Sequence, residues 1–272
     1  MSLELNKIYN EDCLEGMKRI DDKSIDMILC DLPYGMTYNK WDTVIPLDKL
    51  WEQYERIIKD NGAIVLTAQT PFDKVLGTSN LKMLRYEWIW EKENATGFLN
   101  AKKQPLRKHE NILVFYKRLP LYNPQMGKGK SYTAVRKEKP SLNYYNNQKM
   151  TKTVSDGERY PVSIIKFNRD KEKLHPTQKP VALFEYLIKT YTDEGEIVLD
   201  NCIGSGTTAF ACLNTNRNFI GFEKEEKYYN IANKRIEKYM KGWLVMIAVY
   251  IAFLLFVGVS VALLYIAKDK EE

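Results

Sequence analysis

The chain has 272 residues, 44% of them apolar and 28% charged, with a formal net charge of +6, which describes an ordinary globular protein long enough to bury a full core. Four cysteines without a C-x-x-C spacing and only two histidines, His109 and His175, argue against a zinc site. The opening Met-Ser-Leu-Glu-Leu-Asn-Lys is no signal peptide, so the expectation is a reduced, cytoplasmic protein.

In chain order, Ser24 to Asp31 is an apolar run that predicts a buried strand. Leu47, Leu50, Trp51, Tyr54, Ile57 and Ile58 recur at helical spacing over 47–59, and Asn61-Gly62 stops that helix. Ala63 to Leu66 predicts a second buried strand, and Tyr86–Trp90 and Ile112–Tyr116 two more, paired as an antiparallel edge. Pro180 to Tyr191 predicts a helix with proline in its first turn. Then follow a strand over 196–200, a helix over 207–213, a strand over 218–222 and a helix over 225–239. Repeated β-α-β predicts a doubly wound, Rossmann-like, mostly parallel sheet.

Two stretches depart from this pattern. Residues 118–173 hold thirteen Lys/Arg against five Asp/Glu, a balance of +8 where the rest of the chain carries −2. Tyr122, Tyr132, Tyr144, Tyr145 and Tyr160 are interleaved with those charges. Such an insert suits a phosphate backbone, although a solvated loop would look similar. Residues 243–267 contain no charge over twenty-five positions, with Trp243 and Tyr265 near the ends. At ~1.5 Å per residue they are long enough to span a bilayer, predicting a C-terminal transmembrane helix anchoring a cytoplasmic domain.

Two motifs carry chemistry. Asp31-Leu32-Pro33-Tyr34 ends the first strand, at the carboxyl edge where open α/β sheets bind ligands. The acid can accept from an amino group and the ring can stack on a base, whereas an ordinary Pro-Tyr-Gly turn is the plainer alternative. The second, Asp200 to Thr208, joins a strand to a helix through Gly204 and Gly206, and the next strand ends at Glu223. Glycines let backbone approach a ligand, and an acid at that interval can bind ribose hydroxyls. The lack of G-x-G-x-x-G argues against NAD, and the lack of G-x-x-x-x-G-K-[ST] against ATP.

Together these residues resemble the S-adenosylmethionine-dependent DNA amino-methyltransferases of the β-class, over roughly residues 4 to 240. Asp31 to Tyr34 is similar to the family's D-P-P-Y tetrad, with Leu32 replacing a proline; Asp200 to Thr207 is similar to its cofactor loop, with Asn201-Cys202 in place of Pro-Phe. His175 to Pro180 resembles the segment holding the cofactor's methionine end, and Asn10 to Leu14 the segment against its adenine. Trp90–Lys92 and Arg107–Glu110 resemble segments near the base pocket.

The resemblance implies methyl transfer from S-adenosylmethionine to the 6-amino group of adenine in double-stranded DNA, of the restriction–modification kind. It implies catalytic Asp31, Pro33 and Tyr34. The cofactor residues expected are Asp12, Cys13, Thr177, Lys179, Asp200, Gly204, Ser205, Gly206, Thr207 and Glu223. No metal site is expected. The expected organisation is a catalytic part (1–117), a target-recognition insert (118–173), a cofactor-binding part (174–241) and the span (243–267). Partners would be duplex DNA, a lipid bilayer through that span and, left open, a second copy as a homodimer. Cytosine 4-amino methylation, methylation of RNA or protein, and a membrane-anchored non-catalytic DNA-binding module are the alternatives. Cytosine carbon-5 chemistry would need a cysteine after proline, which the tetrad lacks.

Overall fold

A computed structural model describes residues 3–39, 41–137, 150–172, 174–242, 246 and 250. The elements in chain order are β1 (Lys7–Tyr9), α1 (Cys13–Met17), β2 (Ile25–Asp31), α2 (Leu47–Ile57), β3 (Ile58–Ala68), α3 (Phe72–Ser79), β4 (Leu84–Thr96) and β5 (Arg107–Phe115). There follow β6 (Gly127–Lys128), β7 (Tyr132–Arg136), β8 (Thr151–Ser155), β9 (Glu158–Arg159), β10 (Ile164–Phe167), α4 (Val181–Tyr191), β11 (Ile197–Asp200), α5 (Thr207–Asn214) and β12 (Asn218–Phe222). A last helix, α6, covers 226–242.

One eight-stranded sheet organises the molecule, in the order β1-β12-β11-β2-β3-β5-β4-β10. β5 runs antiparallel to β3 and β4, and the other pairings are parallel. β2 is buried along its length to Cys30 because both faces are covered, which is why it reads as a continuous apolar run. On one face Leu50, Trp51, Tyr54 and Ile57 of α2 pack with Met17 of α1 and Leu76 of α3. On the other, Leu183, Phe184 and Leu187 of α4 pack with Ala209 and Cys212 of α5 and Ala232 of α6. The fold is therefore Rossmann-like, with helices on both faces.

Differences from expectation are local. β3 begins at Ile58, which pairs with Ile25 ahead of a register shift, so the predicted helix ends two residues early. The β4–β5 pair is not an edge, since β10 adds to β4 from within the basic stretch. Elsewhere in that stretch the described residues include two exposed ribbons, β6–β9 and β7–β8. Pro180 caps α4 rather than opening it.

The terminal span is a correction. Among the described residues no helix is long and apolar enough to cross a membrane, and residues 243–267 lie outside the described residues except Met246 and Tyr250. The helix leading to them, α6, is amphipathic. It buries Tyr228 and Ala232 and carries Lys234, Arg235, Glu237, Lys238 and Lys241, a charge density that suits a helix lying on a sheet. The transmembrane helix, the bilayer as partner and the membrane-anchored localisation are accordingly given up, and the described residues offer no support for a second copy. Tyr144, Tyr145 and Lys173 also lie outside the described residues.

Candidate active site

Parallel strands β2, β11 and β12 end at Asp31, Asp200 and Phe222, just before Glu223, so three acids arrive at one edge of the sheet. There a cleft of about 650 Å³ opens. Of the thirteen residues expected from the sequence, twelve line it: Asp31, Pro33, Tyr34, Asp12, Cys13, Thr177, Lys179, Asp200, Gly204, Ser205, Thr207 and Glu223. Gly206 stands behind the loop, at φ 83, against Ala232 of α6.

At one end, sheet register sets Asp31 beside Thr67 of β3. The Thr67 hydroxyl donates to Asp31 Oδ1, as does the Tyr34 hydroxyl at 2.7 Å, and Lys179 Nζ donates to Oδ2 at 2.6 Å. The Tyr34 ring stacks on Phe72, centroids 5.2 Å apart and planes inclined by 24°. Leu32, where the resembled tetrad has proline, is buried in the core shared with α2 and α3, so the departure adds packing and leaves the acid and ring in place.

Lys179, a residue expected on the cofactor, lines the cleft with its ammonium between Asp31 and Glu110, 3.3 Å from Glu110 Oε2. Glu110 Oε1 in turn lies 3.3 Å from Lys92 Nζ, which also donates to Thr96. This makes a buried chain of alternating sign: Asp31, Lys179, Glu110, Lys92. Burial pulls the Lys179 ammonium down, but the Asp31 and Glu110 carboxylates outweigh it and hold the group above the ordinary lysine value. For Lys92 burial wins and the shift is downward. Burial would raise Glu110, yet the two ammonium groups hold it below its usual range. Glu110 Oε2 is buried without a hydrogen bond, an acceptor held by charge alone. Thr67 carried no sequence signal, since only strand register brings it to Asp31; Glu110 and Lys92 lay in resembling segments but had no role assigned.

At the other end, Gly204 takes φ 54 and its N–H donates to Glu223 Oε2 at 2.9 Å. Glu223 Oε1 accepts from Glu225 N at 2.8 Å, and the carboxylate, which lines the cleft, keeps lone pairs for further donors. Burial raises this carboxyl above its usual value. Asp200 accepts from Thr208 and from Cys202 N, and burial pushes it up to about 7. Asp12 caps α1 through Leu14 N, 3.0 Å. Asn201 binds the Tyr54 hydroxyl and places its Nδ2 3.5 Å from both Cys13 Sγ and Cys202 Sγ. His175 packs against Trp41 and Tyr228, ring centroids 4.9 and 4.1 Å away, and burial pulls it down to about 4.

An adenosyl cofactor fits this end. The positive-φ glycines strip side chains from the loop beneath a ligand, Glu223 offers acceptors for two ribose hydroxyls, and Asp200 and Asp31 are carboxylates suited to cationic ammonium and sulfonium groups. Such a loop facing an acid–tyrosine pair across one cleft agrees with what the resemblance implies, a Rossmann-fold methyltransferase acting on amino groups.

Comparison with known proteins narrows that class. The family model described as DNA methylase (N6_N4_Mtase) matches residues 25–234, and the chain belongs to that family. It is a DNA methyltransferase, and its cofactor is S-adenosylmethionine. It is 28% identical over 251 residues to the type II methyltransferase M.HpaI of Haemophilus parainfluenzae, covering 87% of this chain and 76% of that protein. It is also 28% identical over 255 residues to the DNA adenine methyltransferase YhdJ of Escherichia coli (strain K12), covering 86% and 83%. Among solved structures, the M1.HpyAVI–SAM complex superposes with a TM-score of 0.58 at 26% identity, covering 84% of this chain and 98% of that one. The cytosine-N4-specific PvuII methyltransferase superposes at 0.64 with 14% identity, covering 85% and 86%, a likeness of fold alone.

Proposed function

We propose that this enzyme methylates the 6-amino group of adenine in double-stranded DNA, with Asp31, Pro33 and Tyr34 at the reacting nitrogen. The observation that carries the reading is the Asp31 carboxylate, fixed by Thr67, Tyr34 and Lys179 at the end of a cleft that leads to the glycine loop and Glu223. When bound, S-adenosylmethionine supplies an electrophilic methyl group on a sulfonium.

An amine conjugated to a purine is a poor nucleophile because its lone pair lies in the ring system. Asp31 accepts one amino N–H, and the backbone carbonyl at Leu32 or Pro33 accepts the other. Both bonds draw the nitrogen toward tetrahedral geometry and free the lone pair. Tyr34 stacks on the extruded base, a contact of about 1–3 kcal/mol in single-strand binders, offsetting part of the few kcal/mol that extrusion costs. No covalent enzyme intermediate is needed, and rate enhancement comes from positioning and electrostatics. Glu223 and Asp12 bind the adenosine part of the cofactor. Cys13 packs beside it, and the loop from Asp200 to Thr207 and the segment with Thr177 hold its methionine end, while the Lys179 ammonium stays on Asp31. The stretch 118–173, with its two exposed ribbons, is the target-recognition part.

Adenine is preferred to cytosine because the tetrad opens with an acid rather than serine, and because a relative similar along most of both chains is named a DNA adenine methyltransferase. The test is expression in a host without its own DNA methylation, tritiated-methyl transfer to plasmid DNA and nucleoside analysis. Label in 6-methyladenine is expected; label in 4-methylcytosine would overturn the choice of base, and label in RNA or protein alone the choice of substrate.

A further inference from the structure

The antiparallel pair β4–β5 closes at Thr96 and Arg107, and both residues line the cleft. Beyond them residues 97–106 form a tip that is exposed throughout. Gly97, at φ 90, turns the chain into a single 3-10 turn, Phe98–Asn100. Phe98 is 80% exposed and Leu99 99% exposed. Single exposed apolar residues are ordinary on a protein surface. Two large ones side by side, at the end of a hairpin whose walls line the active-site cleft, are a placed feature. The surroundings indicate the occupant: residues 97–108 contain Lys102, Lys103, Arg107 and Lys108 and no acid. Arg107 is held by Gln69 at 2.9 Å and Lys108 by Glu91 at 3.1 Å, which leaves Lys102 and Lys103 as the exposed cations beside the apolar pair.

We propose that Phe98 and Leu99 enter duplex DNA as an apolar wedge, filling the gap left by the extruded base, while Lys102 and Lys103 bind the flanking phosphates. The inference rests on the reading that the target base leaves the stack. Extrusion leaves two base pairs facing an empty step, and water fills such a slot poorly. Side chains inserted there restore apolar contact and slow the base's return. A hairpin that carries the wedge at its tip and Trp90, Lys92 and Glu110 along the cleft links both events in one element.

The test compares the full chain with its Phe98→Ala/Leu99→Ala variant on two duplexes carrying the mapped site, one fully paired and one with an abasic position opposite the target. On the paired duplex kcat/KM should fall about tenfold or more, and on the pre-opened duplex it should stay within about threefold of the parent. With 2-aminopurine at the target, the parent should brighten on binding and the variant should not. Phe98→Trp/Leu99→Met, which keeps apolar volume, should restore both readouts. Because the tip is exposed, melting curves should coincide. Equal losses on the two duplexes, or no loss, would overturn the wedge. So would a changed sedimentation coefficient of the DNA-free variant with equal losses, which would assign the tip to contacts between copies. A parent that methylates neither duplex removes the wedge together with the reading beneath it.

Discussion

Asp31 is held by three donors before any substrate arrives, and the strongest electrostatically is the Lys179 ammonium at 2.6 Å. The pair is buried on the lysine side, so water does little to screen it. Replacing Lys179 by methionine leaves the Asp31 and Glu110 carboxylates facing one another without the cation between them. A carboxylate that shifts by about 1 Å loses on the order of a hundredfold in rate. Lys179→Met is therefore expected to lower kcat about a hundredfold in single-turnover methyl transfer while KM for DNA changes little. Glu110→Gln, one step further along the chain, keeps the Asp31–Lys179 pair and should cost about tenfold or less. Parental kcat in Lys179→Met would show that the ammonium does not position the acid.

At the scale of elements, the loop between β11 and α5 depends on backbone that other residues adopt poorly. Gly206 sits at φ 83, and a Cβ there would stand 3.1 Å from Ala232 Cβ on α6. Gly195 has the same φ with open space around it. Gly195→Ala thus pays only the left-handed conformation, about 1–2 kcal/mol, whereas Gly206→Ala must also push α6 away from the loop. Thermal melting should place Gly206→Ala below Gly195→Ala, and cofactor titration should show weaker binding only in Gly206→Ala. Equal melting points would mean that α6 yields freely.

The same elements show why some structure was legible in the sequence. β2, the second half of β3 (63–68), β11 and β12 are largely buried and read as short, mostly apolar runs, and α2 and α4 repeat at helical spacing over eleven residues each. β1 has three residues and α1 five, too few to display a period. The ribbons of the basic stretch bury almost nothing, so no apolar pattern marks them. In the cleft, Asp31, the glycines and Glu223 were readable because each ends a strand or opens a helix. Thr67 joins them through strand register and Lys179 through a contact 148 positions distant, and neither relation is written locally. The charge-free stretch 243–267 was read from length and hydropathy alone, and it lies outside the described residues except Met246 and Tyr250.

Across the whole molecule, charge is separated: +8 resides in residues 118–173 and −2 in the rest. A uniformly basic surface would attract DNA from any side, whereas a distribution of this kind would favour approach through one region and leave the remainder weakly repulsive. Lys128, Lys130 and Lys152 lie exposed on or beside the ribbons β6–β9 and β7–β8, and Lys189 lies exposed in the last turn of α4. Each phosphate contact releases condensed counterions and contributes roughly −0.9 to the slope of log K against log salt. Replacing the three ribbon lysines by alanine should flatten that slope by about one for each lysine that touches a phosphate, while Lys189→Ala should leave it unchanged. Duplex binding measured by fluorescence anisotropy between about 50 and 200 mM salt spans a range wide enough to resolve such a change. If all four substitutions flatten the slope equally, DNA is attracted by net charge and the basic stretch does not form the docking face. If only the ribbon lysines do, the phosphates run along the ribbons, and β10 joins that face directly to β4 and the cleft.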